Sequence, residues 1–389
     1  MLAIVVLFLG KYLNKKVGFF RNYNIPEPVT GGVLVSLLLG LLFYTYDVVI
    51  EFDMRSRDIL LIVFFTCIGL SAKFSSLREG GKSLVVLSIA AISYLFLQNL
   101  TGIGVTRLTD LDSSVGVLGG SVSLSGGHGT AIAWSSIFVE QYGIAKAAEI
   151  GIACATFGLI LGGLIGGPIA KHLIVKNQLQ SDSHENLSVG LKYKDEHRRI
   201  DVESMLVALF FISLAVGVGI HLNKLFVWLG LQLPDFVTSL FAGIVLTNTI
   251  PVMARNISWP AGTATLALVS DLSLSLFLAM SLMSLQIWTL IDLAAPILMI
   301  LIAQLIVISS FVVFVVFRIM GRDYDAAVIS SGYAGLALGA TPTAIANMTA
   351  VTKKFGASSK AFIVVPLVGA FFIDIANALI IQFMLERVG

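Results

Sequence analysis

The residues able to do chemistry in this 389-residue chain gather in two short segments and one late apolar run. The first segment is Ser125-Gly126-Gly127-His128-Gly129-Thr130-Ala131-Ile132-Ala133, and the second is Leu338-Gly339-Ala340-Thr341-Pro342-Thr343-Ala344-Ile345-Ala346. Both are apolar enough to lie at membrane depth, yet too rich in Gly, Pro and Thr for a plain spanning helix. Irregular backbone at that depth frees N–H and C=O groups, which is tolerated only within protein or beside a water-filled cavity. The glycines let backbone approach a ligand, and Pro342 breaks the helical ladder and frees a carbonyl. Freed N–H groups at half-helix N-termini suit an anionic solute, while freed carbonyls and hydroxyls suit a sodium ion. The solute-binding candidates are Ser125, Gly126, Gly127, His128, Gly129, Thr130, Gly339, Ala340, Thr341, Pro342, Thr343 and Asn347, together with Asp374 and Asn377. The sodium candidates are Ser123, Thr130, Thr343 and Asp374.

Asp374 lies near the middle of the apolar run Phe371-Phe372-Ile373-Asp374-Ile375-Ala376-Asn377. A carboxylate at the centre of a spanning helix costs about 2.5–3.5 kcal/mol on insertion scales, so it marks a functional site. It would receive a substrate ammonium group or a sodium ion, or else pair with a neighbouring helix. Asn377 shares its helix face. His128 is either a proton-coupling group or a neutral donor that orients the tip. The second role is favoured, because its counterpart Thr341 does not titrate. Asp58 and Asp271 are expected to cap helix ends. Gly162-Gly163 and Gly166-Gly167 read as helix packing. Cys67 and Cys154 read as small buried hydrophobes, and the four tryptophans as packing or interfacial residues.

The two segments are copies. Thr130–Ala133 match Thr343–Ala346 at an offset of 213, and at the same offset Asp58 matches Asp271 and Phe64 matches Phe277. Asp110 and Asp112 match Asp323 and Asp325, Gly119 matches Gly332 and Gly143 matches Gly356. Ile25-Pro26-Glu27 and Val29-Thr30 match Leu233-Pro234-Asp235 and Val237-Thr238 at an offset of 208. Greasy halves share Leu and Ala by chance, but not Asp, Pro, Gly and Thr in register.

These segments need a membrane to position them. The chain is 57% hydrophobic and 12% charged, against roughly 25% charged in a soluble domain. Apolar runs of about twenty residues recur, each long enough to cross a bilayer. Ten spans are expected, at about 1–18, 28–46, 57–74, 83–106, 147–173, 202–221, 235–252, 268–289, 293–318 and 359–385. Repeat 1 takes residues 1–173 with an irregular segment at about 114–140, and repeat 2 takes 202–389 with one at about 326–353. A polar linker, 174–201, separates them. Five crossings per repeat is an odd number, so the copies must be inverted. The expected fold is an all-α polytopic membrane protein of two inverted repeats, each with a re-entrant hairpin, which is the architecture of alternating access.

Basic residues set the orientation. Lys15, Lys16 and Arg21, then Arg78 and Lys82, then Lys192, Lys194, Arg198 and Arg199, then Arg255, then Arg318 and Arg322 follow alternate spans. Asp47, Glu51 and Asp53 fill a mixed loop on the other side. Both termini are then outside and the linker is cytoplasmic, with the first hairpin entering from outside and the second from the cytoplasm. No cleaved signal peptide is expected, and helix 1 is short, with Lys11 following ten residues. A net charge of +2 without basic–aromatic interleaving gives no reason to invoke nucleic acid. The Cys and His spacings support neither a disulfide framework nor a metal site, and no organic cofactor is implied. An intramembrane enzyme would need a nucleophile–base pair or metal ligands. His128 has no evident carboxylate partner, and a passive channel suits two copied hairpins less well than a carrier does.

The motifs IPEPVTGG (25–32), LSGGHGT (124–130), ACATFGLILGGLIGGP (153–168), DYDAAV (323–328), LGATPTAIANM (338–348) and VVPLVGAFFIDIANAL (364–379) cover nearly the whole chain. In them the sequence closely resembles the bacterial sodium/glutamate symporters of the glutamate:Na⁺ symporter (ESS) family. The resemblance implies uptake of L-glutamate across the inner membrane, driven by the sodium gradient. It also implies a homodimer, with a scaffold and a mobile transport domain that carries both hairpins. The family is similar in fold to the sodium/citrate carriers, which implies an elevator-type movement. The alternative reading is a carrier of the same fold for another carboxylate, or one coupled to protons.

Overall fold

The structure is a computed structural model that describes residues 1–22, 25–46, 50, 52–74, 77–109, 111–181, 201–228, 233–253, 259–285 and 293–388. Asp47, Glu51, Asp110, Lys192, Lys194, Arg198, Arg199, Arg255 and Trp288 lie outside the described residues, as does most of the linker. All described regular structure is helical, because a helix satisfies its backbone within one segment.

The first half holds α1 (Leu2–Lys16), α2 (Gly18–Asn22), α3 (Glu27–Tyr46), α4 (Arg55–Ser71) and α5 (Leu77–Thr106). These are followed by α6 (Ser113–Val117), a π turn (Leu118–Val122), α7 (Gly127–Tyr142) and α8 (Ala147–Lys176). The second half holds α9 (Val202–Trp228), α10 (Asp235–Met253), α11 (Ala264–Met283), α12 (Ala294–Phe311), a π turn (Val312–Val316) and α13 (Phe317–Ile319). It ends with α14 (Tyr324–Leu338), α15 (Thr341–Phe355), α16 (Ser359–Val368), a third π turn (Gly369–Ile373) and α17 (Asp374–Val388). Among the described residues, 7 helices are long and apolar enough to cross a membrane. The other three expected spans are shorter or interrupted. They are α1 with 15 residues, α4 with 17, and the last run, divided by its π turn.

Local signals explain where helices start. Asp201 precedes α9 and accepts from Ser204 N at 2.8 Å, while Ser204 Oγ accepts from Asp201 N at 3.2 Å. This reciprocal box satisfies two free donors and holds the Asp201 carboxyl below its usual range. Helix α11 begins earlier than the sequence suggests, because Thr263 accepts from Leu266 N at 3.2 Å. Asp271 is therefore an exposed residue two turns inside α11 and does not cap it. Asp58 lies in the first turn of α4 and pairs with Arg57 at 2.6 Å. Cys67 and Cys154 are buried free thiols.

The chain divides into two compact units, and each draws on both halves. The first unit is Met1–Lys16, Pro26–Arg78 and Lys192–Leu285. Its helices meet through glycine. A Cβ on Gly32 of α3 would collide with Leu282 of α11, and one on Gly69 of α4 with the Leu240 carbonyl of α10. Leu240 and Leu282 stand 208 and 213 residues after Gly32 and Gly69, so the two contacts exchange counterparts. Gly31 against α1 and Ser239 against Gly219 of α9 are matching contacts as well, each within its own half. Phe64 packs on its own counterpart, Phe277, with ring centroids 5.8 Å apart. Helices in lipid gain little from hydrophobic burial against each other, so close approach supplies the packing energy.

The second unit is Val17–Ile25, Glu79–Leu191 and Gln286–Gly389, and it holds both irregular segments. Helix α8 packs along α14 and α15 with its glycine face. A Cβ on Gly158 would enter the Leu338 carbonyl, and one on Gly166 the Asn347 amide. Assigning Gly162 and Gly166 to packing therefore agrees with the contacts, whereas Gly167 has nothing within 4 Å of a built Cβ.

Gly69→Val is expected to lower stability by about 1–3 kcal/mol through overpacking. Gly104, with nothing within 4 Å of a built Cβ, is the control. Gly104→Ala should be neutral or stabilising by up to about 1 kcal/mol. Thermal melting of the detergent-solubilised protein, followed by size-exclusion, separates the two.

Candidate functional site

Each irregular segment is a helix pair with a break between its members. In the first, Asp112 caps α6 by accepting from Ser114 N at 2.8 Å. The helix loosens into its π turn, where Gly120 has ψ −126, and residues 123–126 leave the helix before α7 begins at Gly127. In the second, Asp323 caps α14 by accepting from Ala326 N at 2.7 Å. Gly339 and the extended Ala340 then break the chain, and Pro342 stands in the first turn of α15, where its missing N–H costs nothing.

The two breaks lie side by side. A methyl placed on Gly127 would sit 3.6 Å from the Gly339 carbonyl oxygen. Gly127 has φ +69, a conformation that excludes most side chains. Gly126, Gly127, Gly129, Ala340 and Thr341 are half-buried and Pro342 is exposed, whereas Ser123, Ser125, Thr130 and Thr343 are buried. The Ser123 hydroxyl donates to Leu118 O at 2.6 Å, and Thr130 packs on Gly126. The Thr343 hydroxyl has no hydrogen-bond partner among the described residues.

The last helix of each half braces its own tip. His128 Nε2 lies 3.0 Å from Thr156 Oγ1 of α8. The counterpart pair, 213 residues on, is Thr341 and Gly369, where a Cβ on the glycine would sit 2.8 Å from Thr341 Oγ1. A long side chain meets a threonine in one copy, and a threonine meets a glycine in the other. Five residues after Gly369 comes Asp374, half-buried, with no hydrogen bond or ion pair described for its carboxylate. Asn377, 1% exposed, donates from Nδ2 to Ser121 O at 2.9 Å, which ties α17 to the first hairpin. Asn347 of α15 donates to Gly162 O at 2.9 Å and so fastens the second hairpin to α8, away from the tips.

The sequence reading passed over a set of buried amides. Gln98, Asn99 and Gln304 are 0% exposed. Gln98 Nε2 donates to Ala337 O at 2.9 Å, and Ser125 Oγ donates to Gln98 Oε1 at 2.6 Å. One glutamine thus joins the first tip to the end of α14. Asn99 Oδ1 accepts from Ser121 N at 2.9 Å, and Gln304 Nε2 donates to Gln98 O at 2.7 Å. The available signal was an amide inside an apolar run, Leu97-Gln98-Asn99-Leu100 and Ala303-Gln304-Leu305. Thr156 and Gly369 carry no such signal; only the repeat offset points to them.

Long apolar helices around two broken ones with adjacent tips define a multi-pass membrane protein. The chain belongs to the sodium/glutamate symporter family, whose profile matches residues 1–357. It is 44% identical over 385 residues to the sodium/glutamate symporter of Escherichia coli, covering 98% of this chain and 95% of that one. The sodium/glutamate symporter of Haemophilus influenzae is 43% identical over 387 residues, with the same coverage. Both relatives are named as symporters, not enzymes. A sodium/proton antiporter structure from Methanocaldococcus jannaschii aligns over 99% of this chain and 96% of that one, with 15% identity and a TM-score of 0.43, too low to argue from.

Gly127→Ala is expected to cost about 1–2 kcal/mol through its left-handed backbone alone. Asn347→Ala should cost about 0.5–1.5 kcal/mol by removing a buried hydrogen bond between helices. Melting curves of both variants check the ranking; no loss in either would contradict the geometry.

Proposed function

We propose that this protein carries L-glutamate into the cytoplasm together with sodium, by alternating access. The observation that carries the reading is the meeting of Gly127 with Gly339, in the unit whose last apolar run carries the half-buried carboxylate of Asp374. The N-termini of α7 and α15 start at that meeting point. Their free N–H groups donate to the two carboxylates of glutamate, helped by His128 and Thr341. Asp374 balances the substrate ammonium or a sodium ion. Neither hairpin tip has an Arg or Lys, so anion binding there waits for the cation. That makes uptake sodium-dependent. Family membership and the names of the relatives support the choice of glutamate and sodium.

The exchanged contacts at the 208 and 213 offsets support two inverted repeats with re-entrant hairpins. On this reading the second unit carries the site and moves in the manner of an elevator, within a homodimer. The termini face outward from the bacterial inner membrane and the linker is cytoplasmic.

Labelled-glutamate counterflow in proteoliposomes, with and without sodium, tests the proposal. Uptake should require sodium, and an excess of unlabelled citrate should leave it unchanged. Equal flux in choline would sink the coupling. Asp374→Asn should abolish flux or shift its sodium dependence, and an unchanged response would remove Asp374 from the site.

A further inference from the structure

Three fully buried side chains from three helices gather around the two residues Gly120 and Ser121. Asn99 of α5 accepts from Ser121 N. A methyl on Gly120 would sit 2.7 Å from Asn99 Oδ1 and 3.2 Å from Gln98 O, the same carbonyl that Gln304 of α12 holds. Asn377 of α17 holds Ser121 O. Ser121 itself is 0% exposed.

Bonds to carbonyls fix the amide orientations. A carbonyl only accepts, so the nitrogens of Asn377 and Gln304 must face Ser121 O and Gln98 O. Their oxygens then point elsewhere. Asn377 Oδ1, Gln304 Oε1 and Ser121 Oγ are all buried with no hydrogen-bond partner among the described residues. Asn99 Nδ2 and the Ser121 hydroxyl hydrogen are the unpartnered donors in the group. Three unpartnered buried oxygens therefore gather where the π turn and Gly120 break the helix. Stranded buried acceptors are destabilising, so the fold keeps them for something positive.

We propose that this cluster is a sodium site, with Ser121 Oγ, Asn377 Oδ1 and Gln304 Oε1 as ligands. Neutral oxygens at a helix break suit a monovalent ion, whereas divalent sites recruit several carboxylates. Asp374, three residues before Asn377 on the same run, supplies a negative field without being a ligand. The site uses none of the tip hydroxyls at Ser123, Thr130 or Thr343. It rests on the reading above that sodium is the coupling ion.

The test is labelled-glutamate uptake by the full-length protein in proteoliposomes, titrated with sodium. Ser121→Ala and Gln304→Leu should each raise the half-saturating sodium concentration by about tenfold, the effect of losing one ligand contact. The glutamate KM at saturating sodium should stay within about twofold, because substrate contacts are intact. Gln304→Glu keeps an oxygen, adds charge and should lower the half-saturating concentration. If Gln304→Leu does not reach the folded state, Gln304→Glu decides: an unchanged or higher value overturns the site. Wild-type sodium responses in both Ser121→Ala and Gln304→Leu overturn it too, as a buried water in place of an ion would give. Sodium-independent uptake by the unmodified protein overturns the coupling itself, and this site with it.

Discussion

A peptide group inside a bilayer has no water to bond, and the second unit is arranged around that constraint. Two helix pairs break within it, at 123–126 and at 339–340. Each break frees groups that protein must answer. Gly126 N reaches back to Ser121 O, Asn99 takes Ser121 N, Asn377 takes Ser121 O, and Gln98 takes Ala337 O. The answering side chains are amides because an amide offers a donor and an acceptor from one neutral group. A charged residue in the same place would carry a far larger desolvation penalty.

The glycines follow from the same constraint. Amides are short, so helices must come close for them to reach. Asn347 finds Gly162 O only because Gly166 carries no side chain where the amide lies. Among its described residues, the first unit uses glycine for close helix contact at Gly32, Gly69 and Gly219, and holds no helix pair broken in this way. Its exchanged contacts and the self-facing pair Phe64 and Phe277 follow one pattern. In the second unit His128 with Thr156 and Thr341 with Gly369 are matched contacts of another kind, each within its own half and with residues of different size.

Much of this was legible from residue order. Composition gave the membrane, and Gly-Gly-His-Gly and Gly-Ala-Thr-Pro located both breaks, because those residues act on their own backbone. Most helix bounds fell within a few residues, although α9 runs to Trp228, well past the expected 221, because its apolar run continues through Leu225 and Phe226. The grouping into units was not visible in local pattern, since it depends on which helices meet across the chain. The roles of Gln98, Asn99 and Gln304 were hidden for the same reason. An amide in an apolar run is visible, but its partner is a backbone group more than twenty residues away or in the other half. Asn347 shows the converse case: its position beside a tip motif suggested ligand contact, and the geometry gives it a neighbouring helix instead.

The neutrality of these amides has an electrical consequence. Among the described residues of the second unit, Asp374 is the carboxylate placed midway along a membrane-length run. On the movement proposed above, a step that carries the tips across the membrane voltage moves one fixed negative charge plus the cargo. Each unit charge moved through 100 mV is worth about 2.3 kcal/mol. The ionised empty unit and the loaded unit then feel the field differently, by an amount set by how many cations ride along. Membrane potential, and not only the sodium gradient, would bias which leg of the cycle is slow.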